Sequence, residues 1–156
     1  MFGLQIKPIS SYSTMFGFFE STEKKEIKSH LRHLVRLAKA DGVFHKDEIK
    51  FIKRVGRENG LTDNEVQKIM DDPTSVDIVL PTTAEGKFNQ IFDLVQLMMR
   101  DGEVNDAEMD FCMELANRLG FRKVIVGVLV AKITRGIAEG LDRDQLKEEA
   151  APFINY

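Results

Sequence analysis

The chain of 156 residues has one cysteine, three histidines and no long uncharged apolar run, and each scarcity excludes a class of protein. A single cysteine excludes a disulfide framework and fits a reducing compartment. No stretch of about 18 uncharged apolar residues is present to span a membrane. Residues 1–20 lack the basic start, long apolar run and cleavage site of a signal peptide. We therefore expect a cytoplasmic protein without stable membrane insertion.

The common catalytic motifs are also missing. The sequence has no Gly-rich phosphate loop, no Gly-x-Ser-x-Gly elbow and no Cys-His arrangement. Its only acid–base candidates near neutral pH are His30, His33 and His45. His30 is not followed by the acidic and histidine pattern of a metallohydrolase helix. We expect no enzyme, no catalytic residue and no organic cofactor.

Charge is unevenly distributed along the chain. Residues 1–60 carry 12 Lys and Arg against 7 Asp and Glu, whereas the remainder carries 10 against 18, so the two parts have net charges of +5 and −8. Opposite surfaces of this kind can steer a charged partner or allow two copies to associate head to tail. They do not form the concentrated basic face typical of nucleic-acid binding, so we expect no nucleic-acid partner.

The chain contains an internal repeat. Residues 31–70 align without a gap onto residues 91–130 at an offset of 60, with nine identical positions and mostly apolar exchanges elsewhere. The identical pairs are Leu34/Leu94, Val35/Val95, Leu37/Leu97, Asp41/Asp101, Gly42/Gly102, Glu48/Glu108, Phe51/Phe111, Gly60/Gly120 and Val66/Val126. Cys112 aligns with Ile52, which predicts a small buried hydrophobe rather than a reactive thiol. The repeat predicts one core shared by two copies.

Apolar spacing and stop signals predict an all-α, single-domain bundle of about seven helices built from two pseudo-repeats. The expected helices start at Thr22, Lys46, Thr62, about 83, 106, 122 and 143. Thr62 to Glu65 and Thr82 to Glu85 both have the form of a capping box. The apolar run Val124 to Ala131 is expected to form a helix buried on most sides, with Gly127 admitting a close neighbour. Residues 1–21, which contain four phenylalanines and no helical period, are assigned to an N-terminal arm, and residues 22–156 to the helical domain.

The polar matches of the repeat lie in one loop signature, Asp-Gly-x-apolar-x-x-x-Glu, found once in each copy. One interpretation is structural: the glycine supplies a positive φ, Phe44 or Val104 packs into the core, and Glu48 or Glu108 caps the next helix. This interpretation needs no ligand. It is compatible with a structural or oligomerisation domain whose loops only cap helices.

The other interpretation is a divalent cation site, for Ca²⁺ or Mg²⁺. An ordinary EF-hand is excluded, because its first and third ligand positions would be Leu37 and Lys39 in one copy and Leu97 and Met99 in the other. The second copy still offers oxygens from one short turn, at Asp101, Glu103, Asn105 and Glu108. The first copy offers Asp41 and Glu48, but Lys46 and Lys50 stand beside them, so any cation should prefer the second loop.

A protein partner is the further possibility. Uncompensated carboxylates at Asp106, Asp110 and Glu114 suit a basic partner surface. Methionines grouped in this way are usually core, but Met99 and Met113 align with Lys39 and Lys53, which favours exposure. If they are exposed, they would line an adaptable groove beside these acids.

The duplicated loop signature resembles that of the TerB family of tellurite-resistance proteins and the N-terminal domain of DjlA co-chaperones. The resemblance covers residues 22 to about 150 and rests on Asp41, Gly42, Glu48 and their counterparts Asp101, Gly102 and Glu108. It implies a TerB-like seven-helix fold, a stress-associated context and acidic loops that bind metal or partner proteins. This chain lacks a J-domain, so the resemblance does not imply a co-chaperone role.

Overall fold

The computed structural model describes residues 20–40, 42–100 and 104–154. These residues form seven α-helices, one short 3-10 helix and no strand, around one hydrophobic core. The helices are α1 Thr22–Ala38, α2 Lys46–Glu58, α3 Asp63–Asp71, α4 Ala84–Met98, α5 Asp106–Arg118, α6 Lys123–Ala138 and α7 Arg143–Ile154, and the 3-10 turn is Pro73–Ser75. The all-α, seven-helix prediction is thus confirmed for the described ranges. The N-terminal arm, apart from Glu20 and Ser21, lies outside them.

The helix starts follow local capping chemistry. Thr62 Oγ1 accepts from the backbone N–H of Glu65 at 3.2 Å, and the Glu65 carboxylate accepts from the N–H of Thr62 at 2.9 Å, which confirms the predicted capping box. The second predicted box is wrong by one residue. Thr83, not Thr82, caps α4, by accepting from the N–H of Gly86. The third residue of that helix is then Gly86, which has no side chain to accept a hydrogen bond from the N–H of Thr83.

Two central helices organise the bundle. α1 packs against α2, α3, α4, α5 and the 3-10 turn, and α4 packs against α5, α6 and α7. The apolar stripes of α1 and α4 provide fully buried leucines and valines along their contact. Gly56 lets α2 approach its neighbours closely, because a Cβ there would lie 2.5 Å from Val66 Cγ2. The core therefore lies along the α1 and α4 pair, with shorter helices around it.

α6 is less buried than its composition predicts. Val124 is 84% exposed, and Gly127 and Val128 are also exposed. A Cβ at Gly127 would meet nothing within 4 Å, so the expectation of a close neighbour there is wrong. One face of the helix is covered by α4, α5 and α7, and the uninterrupted apolar run continues around to a face that no described element covers. Among the described helices, none combines the length and hydropathy needed to cross a lipid bilayer.

Candidate functional site

The loop between α1 and α2 has the geometry expected of a helix stop followed by a cap. Gly42 has φ +84° and donates its N–H to the carbonyl of Lys39 at 3.0 Å. Phe44 packs against the core, as predicted. Glu48 is 5% exposed and accepts from the backbone N–H of His45 at 2.9 Å. Asp41, the other candidate ligand of this loop, lies outside the described residues.

The loop between α4 and α5 is described only from Val104 onward, so Asp101, Gly102 and Glu103 lie outside the described residues. Val104 is 41% exposed, and the prediction that it packs into the core is wrong. Its side chain is shorter than that of Phe44, which does reach the core. Asn105 Oδ1 accepts from the N–H of Glu108 at 2.8 Å, and Glu108 accepts from the N–H of Asn105 at 3.4 Å.

These contacts assign a capping role to three of the predicted metal ligands. Glu48, Asn105 and Glu108 each satisfy backbone or side-chain partners at a helix start, and both glutamates are buried. Within the described ranges, no group of three or more His, Cys, Asp or Glu side chains is placed to hold a metal ion. The remaining ligands of the second loop are not described, so cation binding there stays a prediction.

The partner residues predicted on α5 form a continuous acidic stripe. Asp106, Asp110 and Glu114 follow one another at intervals of four and are all exposed. Asp106 and Asp110 form no ion pair with any other residue that the structure describes, whereas Glu114 pairs with Arg118 at 2.7 Å. The stripe therefore presents two uncompensated carboxylates to solvent at the start of α5.

The corresponding positions of α2 carry the opposite charge. Sixty residues earlier stand Lys46, Lys50 and Arg54, which are also exposed and spaced by four. We call these two surfaces the acidic stripe, Asp106, Asp110 and Glu114, and the basic stripe, Lys46, Lys50 and Arg54. The three aligned surface positions of α2 and α5 thus carry opposite charges.

The two methionines predicted to be exposed are not free. Met99 and Met113 are both half-buried and pack against the hydrophobic core. Their long, flexible thioether side chains pack against neighbouring apolar groups of the core. A groove lined by exposed methionines is therefore absent at these two positions, and the exposed residues of the predicted partner surface are those of the acidic stripe.

A buried polar network was missed by sequence reasoning. His30 Nε2 lies 2.8 Å from Asp93 Oδ2, and Arg143 donates to the other carboxylate oxygen of Asp93. Burial disfavours the charged carboxylate, but the hydrogen bonds and charges of His30 and Arg143 outweigh it and hold the pKa of Asp93 below its ordinary value. The network joins α1, α4 and α7 through one side chain. The sequence did contain a signal for buried polar groups. Polar residues interrupt the apolar faces of α1 and α4 at aligned positions, where His30 matches Gln90 and His33 matches Asp93.

Cys112 is fully buried, as the repeat predicted. Burial raises the pKa of its thiol to about 12, so the sulfur is a neutral core atom at physiological pH. It supplies neither a nucleophile nor a metal ligand under those conditions.

No protein-family model matches the chain, and neither the curated proteins nor the solved structures contain a match to it. The resemblance to TerB-like proteins thus remains a prediction from the duplicated loop signature.

Proposed function

We propose that this protein is a non-catalytic helical binding module whose acidic stripe binds a basic segment of a partner protein. The observation that carries the proposal is the exposure of Asp106 and Asp110 without an ion pair in the described structure. Two carboxylates one helical turn apart fit a Lys- or Arg-rich segment by charge complementarity. Met99 and Met113, which are half-buried against the core, are not part of this proposed surface.

The constant spacing of helix ends supports a duplicated architecture, and the opposite charges on α2 and α5 are then a difference between the two copies. α1 and α4 end at positions 38 and 98, α2 and α5 start at 46 and 106, and α3 and α6 start at 63 and 123, always 60 apart. We infer that residues 31–70 and 91–130 are structural pseudo-repeats of a TerB-like bundle. On this proposal the two copies share one core, and their exposed helices bind partners of opposite charge. A stress-associated role follows only from the resemblance to TerB-like proteins.

A charge-reversal experiment tests the partner proposal. The variant Asp106→Lys, Asp110→Lys and Glu114→Lys should weaken binding of a fluorescent Lys- and Arg-rich peptide by at least about tenfold at low salt. The matched control reverses the basic stripe, Lys46→Glu, Lys50→Glu and Arg54→Glu, and should leave that affinity equal or stronger. Equal loss in both variants, or no peptide binding by the parent protein, would overturn the proposal.

The same variants distinguish a foreign partner from a second copy of this chain. If the two stripes bind each other between copies, the parent protein should sediment as a concentration-dependent oligomer, and either reversal alone should dissociate it. Combining both reversals should then restore association, because opposite charges face each other again. Monomeric behaviour of all four proteins would leave the basic segment of another protein as the occupant.

Cation binding by the second loop is the second candidate function, favoured by five carboxylates without Lys or Arg in residues 101–110. Thermal unfolding of chelator-stripped protein with and without Ca²⁺ or Mg²⁺ tests it. A site at Asp101 and Glu103 should raise the midpoint in a cation-specific manner, and Asp101→Ala should abolish the increase. Loops that only cap helices would show no shift with either ion, and the ligand-free structural alternative would then be favoured for that loop.

A further inference from the structure

The exposed face of α6 is apolar over most of its length. Its exposed residues include a row spaced by four, three, four and three, namely Val124, Val128, Ala131, Arg135 and Ala138. This spacing places the side chains on one side of a helix, and it is the spacing found along the contact line of two packed helices. The two valines are 84% and 44% exposed. We call these five residues the α6 face.

The corresponding face of α3 is polar. The positions of α3 that align with the first three residues of the α6 face are Asn64, Lys68 and Asp71, and all three are exposed. The two helices start at aligned positions, 63 and 123, and each packs against neighbouring helices through its buried side. A single exposed valine is ordinary on a protein surface. An apolar row at the place where the other copy is polar instead favours a face that contacts another helix.

The two ends of α6 differ in charge. At its start, Arg122 is exposed and forms no ion pair with any residue in the described ranges. At its end, the hydrogen bond and charge of Glu139, and then the charge of Glu149 on α7, raise the pKa of Arg135. Glu149 is itself exposed and has no ion pair within the described part of the chain. Two carboxylates beside one guanidinium make this end net negative.

This charge distribution selects a second copy of the chain as the occupant of the α6 face. When two α6 helices lie antiparallel, the basic end of each faces the acidic end of the other, and two-fold symmetry makes the match twice. A uniformly basic or uniformly acidic helix would match one end of α6 and be repelled at the other. Residues 1–19 contain one lysine and no Asp or Glu, so the N-terminal arm complements only the acidic end.

We propose that α6 is the contact helix of a symmetric dimer, in which the α6 faces of two copies pack antiparallel. Space for a second helix is present beside Gly127, because a Cβ there would meet nothing within 4 Å. Five mostly small side chains bury less than the ~800 Å² per partner of a standard interface, so the dimer dissociates on dilution. The α6 face is separate from the acidic and basic stripes, so reversal of either stripe should leave this dimer intact.

Sedimentation equilibrium of the full chain, from micromolar to millimolar concentration, tests the proposal. The parent protein should approach the mass of a dimer as its concentration rises. Val124→Asp combined with Val128→Asp places unpaired charges within the contact and should weaken dimerisation by at least about tenfold. The matched control, Asn64→Asp combined with Lys68→Asp, changes the aligned positions of α3. It adds more negative charge than the test variant and should leave the dimer unchanged.

A charge exchange tests the antiparallel arrangement. Arg122→Glu and Glu149→Arg should each weaken the dimer, because like charges then face each other across the contact. The two substitutions together should restore it. No apolar residue is altered by this exchange, so it remains decisive if circular dichroism shows that the aspartate pair unfolds α6. A double variant as weak as the single variants would overturn the antiparallel arrangement.

Three other results would overturn the dimer itself. The first is a parent protein that stays monomeric up to millimolar concentration. The second is an equal loss of association in the α3 control, which would place the contact outside the α6 face. The third is a monomeric parent in which Phe18→Ser shifts the methyl NMR signals of Val124 and Val128, since the N-terminal arm would then be the occupant.

Discussion

His33 in the first copy and Asp93 in the second occupy matching positions of the sequence repeat, and both are buried, but their surroundings differ. Asp93 is closed into a network by His30 and Arg143, whereas His33 has no hydrogen-bond partner among the described residues. A buried carboxylate must be paired because its desolvation is costly, while a neutral imidazole survives unpaired at a smaller cost. Two aligned buried positions can therefore differ in whether their polar groups must be paired.

Breaking the Asp93 network should have the largest effect. Asp93→Asn keeps the shape of the side chain but removes its charge, leaving Arg143 and His30 without a carboxylate. Arg143 is 40% exposed and can be solvated, so we expect the free energy of unfolding to fall by about 2–3 kcal/mol, measured by urea denaturation at neutral pH.

The matched variant His33→Gln should cost less, about 1 kcal/mol, because it removes no hydrogen bond to a described residue. The pKa of Asp93 lies below its ordinary value of 3.8, so its charge stabilises the fold above that pH. The advantage of the parent protein over Asp93→Asn should shrink as the solution is acidified below it. Equal losses at positions 33 and 93 would contradict the contrast between the copies.

The second prediction tests the close packing of α2 against α3 at Gly56. Gly56 matches Ala116 in the repeat, and both are buried. A Cβ at Gly56 would lie 2.5 Å from Val66 Cγ2 and 3.2 Å from Leu31 Cδ2, so Gly56→Ala should destabilise the protein by about 2 kcal/mol. Thermal or urea unfolding measures the change.

Gly127→Ala is the control for that substitution, because its Cβ would meet nothing within 4 Å. Alanine is the better helix former, so this variant should gain up to about 1 kcal/mol. A stabilising Gly56→Ala would show that α2 does not need its close approach to α3.

Helix capping gives the smallest expected effect. Asn105→Ala removes the acceptor for the N–H of Glu108 and should lower stability by about 1 kcal/mol. The loss should be the same in chelator and in millimolar Ca²⁺ if Asn105 only caps α5. Thr62→Ala, which removes the corresponding acceptor at α3, should cost about as much. A loss at Asn105 that grows with Ca²⁺ would instead favour a ligand role.

Much of the fold follows from local sequence. The stop signal at Gly42 and the box from Thr62 to Glu65 were predicted and are confirmed, because positive φ and capping bonds depend on residues a few positions apart. The start of α4 was misplaced because two adjacent threonines offer similar caps. Exposure of Val104 and of the outer face of α6 was missed, since an apolar residue does not state which neighbour, if any, will cover it.

The candidate sites, like the fold, were predicted from the sequence only where they depend on residues close together in the chain. The acidic stripe was visible in the sequence, because charges spaced by four on an exposed helix lie on one face. The basic stripe of α2 follows by the same spacing. Matching polar positions marked His30 and Asp93 as unusual, but their pairing with each other and with Arg143 could not be found by spacing, because the partners are separated by tens of residues along the chain.

The sequence by itself determined the helices, most of their ends and the set of apolar positions that match between the two copies. These depend on propensity, capping and periodicity, which act over a few residues. Only the tertiary structure decided which buried polar groups are paired and which have no hydrogen-bond partner among the described residues. That choice depends on which side chains the packing of α1, α4, α5 and α7 brings within hydrogen-bond distance.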